Sequence, residues 1–302
     1  MTAAVELQSA RKSYGQVEAL KGVDLAIQPG ELVAILGPNG AGKTTAISLM
    51  LGLRRPSAGT ARLFGLDPTD RRARSRCGVM LQESGVADVL TIRETIDLFR
   101  AYYPAPMPVE RALSMAGLVD EQDRQVGKLS GGQRQRLYYA LAVCGNPEVL
   151  FLDEPTVGMD VESRRSFLDG IQAFYTEGKT IVLTTHYLEE ADELARRVVV
   201  IAEGVVIADA SPAEIKAKVQ GRRVTFVSDA NLTEGDFAGL PVSRLELDGA
   251  RVKLLSNHPE DLLRELFKRG LAIQDLTVVG ADLEEAFLSL TSKQTERMEA
   301  LA

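Results

Sequence analysis

The 302-residue chain is 45% apolar and 25% charged, an ordinary balance for a protein that buries a large core, and its length suits one large domain plus a smaller module. A formal net charge of −7 argues against nucleic acid held by broad phosphate neutralisation. Cys77 and Cys144 lie far apart without CxxC spacing, so neither a disulfide framework nor a zinc site is expected, and a reduced, cytosolic compartment fits best. The early residues include Glu6, Arg11 and Lys12 and form no apolar secretory core. A membrane span needs about 20 nearly continuous apolar residues; the best run, Val198 to Ala208, is broken by Glu203-Gly204.

Taken in chain order, Val5 to Ala10 and Val23 to Ile27 read as strands, and Pro29-Gly30 turns the chain into Glu31 to Leu36, a short apolar strand that leads into glycines. Lys43 to Leu53 has helical periodicity, and Gly59 to Phe64 and Cys77 to Leu81 read as strands, the latter ending at Gln82. Helical signals then dominate at Thr91 to Tyr103, Val109 to Ala116 and Ser130 to Cys144, which marks a helical subdomain at about 83–147. Strand Val149 to Leu152, helix Val161 to Tyr175, strand Thr180 to Thr184 and helix Leu188 to Ala195 restore the alternation of a parallel sheet. Val198 to Ile201 and Val205 to Ala208 read as a hairpin closed by Glu203-Gly204.

After a helix from Pro212 to Val219 the texture changes to strand, hairpin, helix, strand, helix. Val242 to Leu247 and Arg251 to Leu255 flank Asp248-Gly249, two residues that tolerate the positive φ of a tight turn. Leu283, Ala286, Phe287 and Leu290 share one face of the closing helix, which Asp282 and Glu285 start with a capping-box pattern. The expected organisation is therefore a domain at 1–218, an α+β module at 219–292 and a polar tail at 293–302.

Gly37-Pro38-Asn39-Gly40-Ala41-Gly42-Lys43-Thr44-Thr45 fits G-x-x-x-x-G-K-[ST] between an apolar strand and a helix. Glycines let backbone N–H groups encircle phosphate oxygens, and the helix N-terminus adds partial positive charge. Lys43 would reach the β- and γ-phosphates, and Thr44 would offer a hydroxyl to Mg²⁺. Asp153 and Glu154 end a buried apolar strand at the carboxyl edge of the sheet; Asp153 would hold Mg²⁺, and Glu154 would act as general base toward water. Leu129-Ser130-Gly131-Gly132-Gln133 is a second helix start suited to an anion, although taken alone a serine N-cap before glycines explains it as well.

Together these elements resemble the ABC ATPase family: a Walker A loop, Gln82, an LSGGQ signature at Leu129 to Gln133, a Walker B strand, Asp160 in Val157-Gly158-Met159-Asp160, and His186 follow in the family's order from about Val5 to Val219. Met159 stands where the family most often has leucine. The resemblance implies an ABC ATPase fold, with a P-loop parallel-sheet core, an antiparallel β subdomain and a helical subdomain. It implies ATP and Mg²⁺ as cofactors and a head-to-tail dimer with a copy of itself or a closely related subunit. In that pair Ser130, Gly131, Gly132 and Gln133 of one chain, with Asp160, cap the nucleotide held by Lys43 and its loop in the other. It further implies that Tyr14 stacks on adenine, that Gln82 senses Mg²⁺ and the attacking water, and that His186 contacts the γ-phosphate. His258 carries no expected chemistry.

Three tasks compete: driving a separate membrane protein, acting as a soluble ABC ATPase on ribosomes or DNA, or serving as a nucleotide-dependent interaction module. The single cassette, the absence of long coiled-coil insertions, the acidic balance and the presence of Glu154 and His186 favour the first. The C-terminal module, ending Asp282-Leu283-Glu284-Glu285-Ala286-Phe287-Leu288, resembles that of bacterial ABC-2 type drug, lipid and glycan exporter ATPases. The expectation is an ATP-hydrolysing export subunit, peripheral on the cytoplasmic side of the membrane through an integral membrane partner.

Overall fold

A computed structural model describes residues 2–81, 85–217, 221–230, 232–280 and 282–299, the last seven by their backbone alone. Gln82 and Val219 lie outside the described residues. The chain opens with a hairpin of β1 (Val5–Tyr14) and β2 (Val17–Ile27), followed by β3 (Leu32–Leu36), α1 (Lys43–Met50), β4 (Ala58–Leu63), α2 (Arg71–Arg74) and β5 (Cys77–Met80). Helices α3 (Ile92–Arg100), α4 (Val109–Met115) and α5 (Gly131–Val143) come next. Then follow β6 (Val149–Asp153), α6 (Val161–Thr176), β7 (Thr180–Thr184), α7 (Leu188–Leu194), β8 (Arg197–Ala202) and β9 (Val205–Ala210). These elements lie in one compact unit, Met1–Ser211.

The five-residue strands β3, β6 and β7 are buried at every position, as expected of parallel strands covered on both faces. They sit inside a six-stranded sheet ordered β5-β6-β7-β3-β8-β9, in which only the β8–β9 pair is antiparallel. Each fully buried Leu, Ile, Val or Phe in these strands contributes about 2 kcal/mol of burial. The order brings the carboxyl ends of β6, β7 and β3 side by side, which is where open α/β sheets bind ligands. A second sheet, β2-β1-β4, is antiparallel and shares a core with α1 through Leu7, Leu20, Ile47 and Leu63.

The first hairpin runs further than its apolar segments. Arg11, Lys12 and Ser13 pair with Lys21, Leu20 and Glu18, because ladder hydrogen bonds on a solvated strand need no apolar side chain. Helix α1 stops before Leu53: Gly52 adopts φ +64°, and Leu53 N–H donates to Ser48 O in a Schellman-type ending. The turn between β8 and β9 uses Glu203 and Gly204, both at positive φ, as a tight hairpin of right-twisted strands requires.

The second compact unit, Pro212–Ala302, contains α8 (Pro212–Ala217), β10 (Arg222–Val227), β11 (Arg244–Asp248), β12 (Arg251–Ser256), α9 (Pro259–Lys268), β13 (Gln274–Gly280) and α10 (Leu283–Glu299). Its sheet, β11-β12-β10-β13, is antiparallel throughout, and Val224, Phe226, Val252 and Leu254 pack with Leu262 and Leu266 of α9. Asp248 pairs with Arg251, so the tight turn is Gly249-Ala250 and not Asp248-Gly249; Gly249 alone takes positive φ, at +57°. Asp282 and Glu285 form the capping box, each backbone N–H donating to the other's carboxylate at 2.9 Å. Leu283 and Ala286 are buried, whereas Phe287 and Leu290 are partly so.

Candidate functional site

Local sterics shape the glycine loop. A Cβ on Gly37 would lie 2.1 Å from Ile201 O, so this glycine is required by its approach to β8. Gly42, the N-cap of α1, has φ +107°, and a Cβ there would meet Ala19 O at 2.6 Å. The hairpin that packs Ala19 against the loop carries Tyr14 at its turn, half exposed, with Lys12 Nζ 5.2 Å from the ring centroid. Gly40 is also in the left-handed region, but a Cβ there would meet nothing within 4 Å, and Pro38, Asn39 and Thr44 are exposed. Ala41 is buried and tied by Gly204 N–H to its carbonyl, while Thr45 is half-buried. Thus one wall of the loop is fixed by packing, and the other is open for a ligand.

Lys43 is 6% exposed, and its Nζ donates to Gly37 O at 2.7 Å and Pro38 O at 3.2 Å. Burial lowers its pKa below the usual lysine range, with the opposing charges of Glu154 and Asp153 holding it up. Lys43, Asp153 and Glu154 therefore share one electrostatic environment although distant in sequence.

Asp153 ends β6, 4% exposed, and accepts a 2.5 Å hydrogen bond from the Thr184 hydroxyl on neighbouring β7. Glu154 follows at φ +52°, a conformation that costs a non-glycine residue about 1–2 kcal/mol. Its backbone N–H donates to Thr184 O and Thr184 Oγ1, both at 3.1 Å, which holds the strained residue in place. The resulting turn brings Glu154 Oε1 against His186 Nε2; the Glu154 side chain is 11% exposed and that of His186 43%. A protected carboxylate facing an accessible imidazole can accept and pass on a proton.

The Leu129 to Gln133 segment makes its hydrogen bonds elsewhere. Ser130 caps α5 by accepting from Gln133 N–H, and Gln133 Oε1 accepts in turn from Ser130 N–H. Gln133 also receives Arg124 Nη1 and donates to Glu121. Capping therefore accounts for Ser130 and Gln133 and leaves the glycines unexplained. Neither takes positive φ; a Cβ on Gly131 would meet nothing within 4 Å, and one on Gly132 only Ser163 Oγ at 4.0 Å. Asp160 caps α6 through Ser163, whose N–H and hydroxyl both donate to it at 2.8 Å; the N–H bond is the main cause of its lowered pKa. Gln82 lies outside the described residues.

Several residues at the site escaped the sequence reading. Thr184 was legible only as a strand residue, yet it contacts both adjacent acids. Glu190, an acid in the first turn of α7, looks like a partner for the helix dipole but is 4% exposed and accepts from Thr156 and Thr185. The Thr184-Thr185-His186 run after an apolar strand is the one sequence signal that could have drawn attention to this side of the site.

A family described as ABC transporter matches residues 20–157. A daunorubicin resistance ATP-binding protein of Streptomyces coeruleorubidus is 37% identical over 98% of each chain. The Nod factor export ATP-binding protein I of Paraburkholderia xenovorans is 36% identical over 97% of this chain and 99% of the relative. Among solved structures, an ATP binding subunit of an ABC transporter aligns with a TM-score of 0.66 and 25% identity, over 71% of this chain and 92% of that one. A dimeric ATP-binding cassette in a post-hydrolysis state, bound to ADP and Pi, aligns at 0.62 with 28% identity, over 68% and 98% respectively. Full-length similarity of this kind, on a fold whose glycine loop and paired acids meet at one sheet edge, means that the chain belongs to the ABC transporter family as an ATP-binding, ATP-hydrolysing subunit.

Proposed function

We propose that the chain hydrolyses ATP at two composite sites of a head-to-tail pair, and that this drives export through a separate membrane-spanning subunit. The observation that carries the composite site is the bare surface at Gly131 and Gly132, whose missing side chains serve no contact within the chain. Glycine there lets a phosphate of the neighbour's nucleotide approach the first turn of α5, where free N–H groups and the helix dipole favour an anion. Ser130, Gln133 and Asp160 border that approach.

In the other half of each site, the loop Gly37 to Thr45 cradles the phosphates and Lys43 neutralises them, while Tyr14 stacks on the adenine. Glu154 takes a proton from water as its oxygen attacks the γ-phosphorus and the bond to ADP breaks. His186 stays on the γ-phosphate and keeps Glu154 aligned. Mg²⁺, when bound, neutralises charge on the β- and γ-oxygens; the Thr44 hydroxyl, the Asp153 carboxylate and Gln82 would hold it. Among the described residues no three His, Cys, Asp or Glu side chains cluster as a metal site. Such a donor set fits an ion that keeps several waters and binds mainly through the nucleotide.

Among the described residues no helix is long and apolar enough to cross a membrane, and on the export reading the path belongs to a second chain. Peripheral attachment on the cytoplasmic side follows from docking to that partner. Export rests on similarity along the whole chain to proteins named for drug resistance and Nod factor export. The C-terminal unit would stabilise the pair or dock the membrane chain.

Mixing inactive Lys43→Ala and Ser130→Arg chains tests the composite site, since each mixed dimer retains one intact site. Partial recovery of hydrolysis is expected, and none from isolated mixed dimers would count against shared sites. Glu154→Gln should bind ATP normally, lose turnover by about a hundredfold or more, and accumulate an ATP-bound dimer. Purification from membranes should bring down an integral membrane protein, whose identity checks the direction of transport.

A further inference from the structure

We infer that Glu190 is a positioning residue for ATP hydrolysis, clamping from behind the two loops that present Glu154 and His186. The inference rests on the reading of those two residues as general base and its partner.

A carboxylate this deeply buried is costly, and apolar residues of similar volume serve stability at least as well. Both Glu190 oxygens are committed: Oε1 accepts from Thr156 Oγ1 and Oε2 from Thr185 Oγ1, each at 2.7 Å. Thr156 stands two residues after Glu154 and Thr185 one before His186. One side chain therefore fixes the exit of the first loop and the entry of the second. Charge-assisted hydrogen bonds of this length are stronger and more directional than neutral ones.

The far side of His186 is held by the same group. Thr185 Oγ1 also accepts from Tyr187 N–H at 2.9 Å. The Tyr187 ring lies 3.9 Å from the Arg164 guanidinium carbon, and Arg164 Nε sits 3.7 Å from Glu190 Oε1. Arg164 belongs to α6, the helix that Asp160 caps. Glu190 thereby links the post-Glu154 loop, the His186 loop and α6, and its two hydrogen bonds go to threonines outside the glycine loop. Its loss should misplace the Glu154–His186 pair and spare ATP binding, because small misalignments of reacting groups cost far more in rate than in affinity.

The test compares Glu190→Gln, Glu190→Ala, Thr156→Val and Thr156→Ser in the full-length chain. ATP affinity, thermal unfolding and turnover are measured for each. Glutamine can accept only one of the two hydroxyl protons, so it should lose turnover by about tenfold, and alanine by more, as for other groups that orient a reacting shell. ATP affinity should stay within about twofold, and Thr156→Ser should recover most of the turnover lost in Thr156→Val. In a His186→Ala background, Glu190→Gln should cost clearly less than in the native chain, since one of the two groups it positions is already gone.

Turnover of Glu190→Gln near the native value, a loss of ATP affinity equal to the loss of rate, or full additivity with His186→Ala would each overturn the inference. Native turnover by His186→Ala alone would instead remove the underlying reading of the site, and the inference with it. If Glu190→Ala does not fold, the glutamine and Thr156 variants carry the decision.

Discussion

Thr184 donates its hydroxyl to Asp153 across two neighbouring parallel strands, and the same residue receives the backbone N–H of Glu154. A single threonine thus satisfies a buried carboxylate and anchors a backbone turn in the left-handed region. Thr184→Val keeps the β-branched shape of the strand but orphans Asp153 Oδ1. Leaving a buried acceptor unmet costs about 1–3 kcal/mol. Urea unfolding should show that loss as a lower midpoint with an unchanged slope, and turnover should fall with it.

At Gly131, stability and activity should separate. Alanine there meets no atom within 4 Å and needs no unusual φ, and it is favoured over glycine in a helix by up to about 1 kcal/mol. The melting temperature of Gly131→Ala should hold or rise. On the composite-site reading ATP hydrolysis should fall, because the added methyl would stand where the neighbour's phosphate approaches. A calorimetric scan beside a phosphate-release assay checks both signs.

Lys43 gives a pH dependence whose sign follows from burial. Its folded-state pKa lies below the ordinary 10.5, so between the lowered value and 10.5 the unfolded chain binds a proton that the folded chain does not. The burial penalty of the charged lysine is therefore present at neutral pH and relieved as pH rises through that window. Nucleotide-free Lys43→Met should be more stable than the native chain at neutral pH, and the gap should shrink on going alkaline. Denaturant titrations of both proteins across that range measure it. ATP affinity of the native chain should fall over the same window, since the phosphates favour the charged lysine.

Burial pushes the thiols of Cys77 and Cys144 up to about 12. Both are enclosed, and each hydrogen-bonds a backbone carbonyl of its own helical turn or approach, Ala73 O and Leu141 O. A thiol reagent at mildly alkaline pH should label neither residue in the folded protein and both in urea, read by mass spectrometry.

The features written most plainly in the sequence are those that depend on short range. The apolar runs Leu32 to Leu36, Val149 to Leu152 and Thr180 to Thr184 declare buried strands, and the Gly37 to Thr45 pattern declares its own turn and helix start. Glu203-Gly204 marks its hairpin because Gly204 takes the required positive φ freely, while Glu203 takes it at a cost. The Gly249-Ala250 turn was displaced by one residue because Asp248 and Gly249 suit tight turns equally well, and only the Asp248–Arg251 pairing decides between them. The polar ends of β1 and β2 were hidden because their stability comes from a ladder and not from an apolar pattern. Glu190 was hidden for a different reason: its partner Thr156 lies 34 positions away, and nothing local distinguishes a buried acid from a solvated one.

The unfilled surface at Gly131 and Gly132 also bears on inheritance. On the composite-site reading, a chain damaged at Ser130 still grips its own ATP and ruins its neighbour's. In a cell that makes damaged and sound copies together, the fault would reach sound subunits through every mixed pair. Such alleles should behave as dominant, whereas the loss of a whole copy should not.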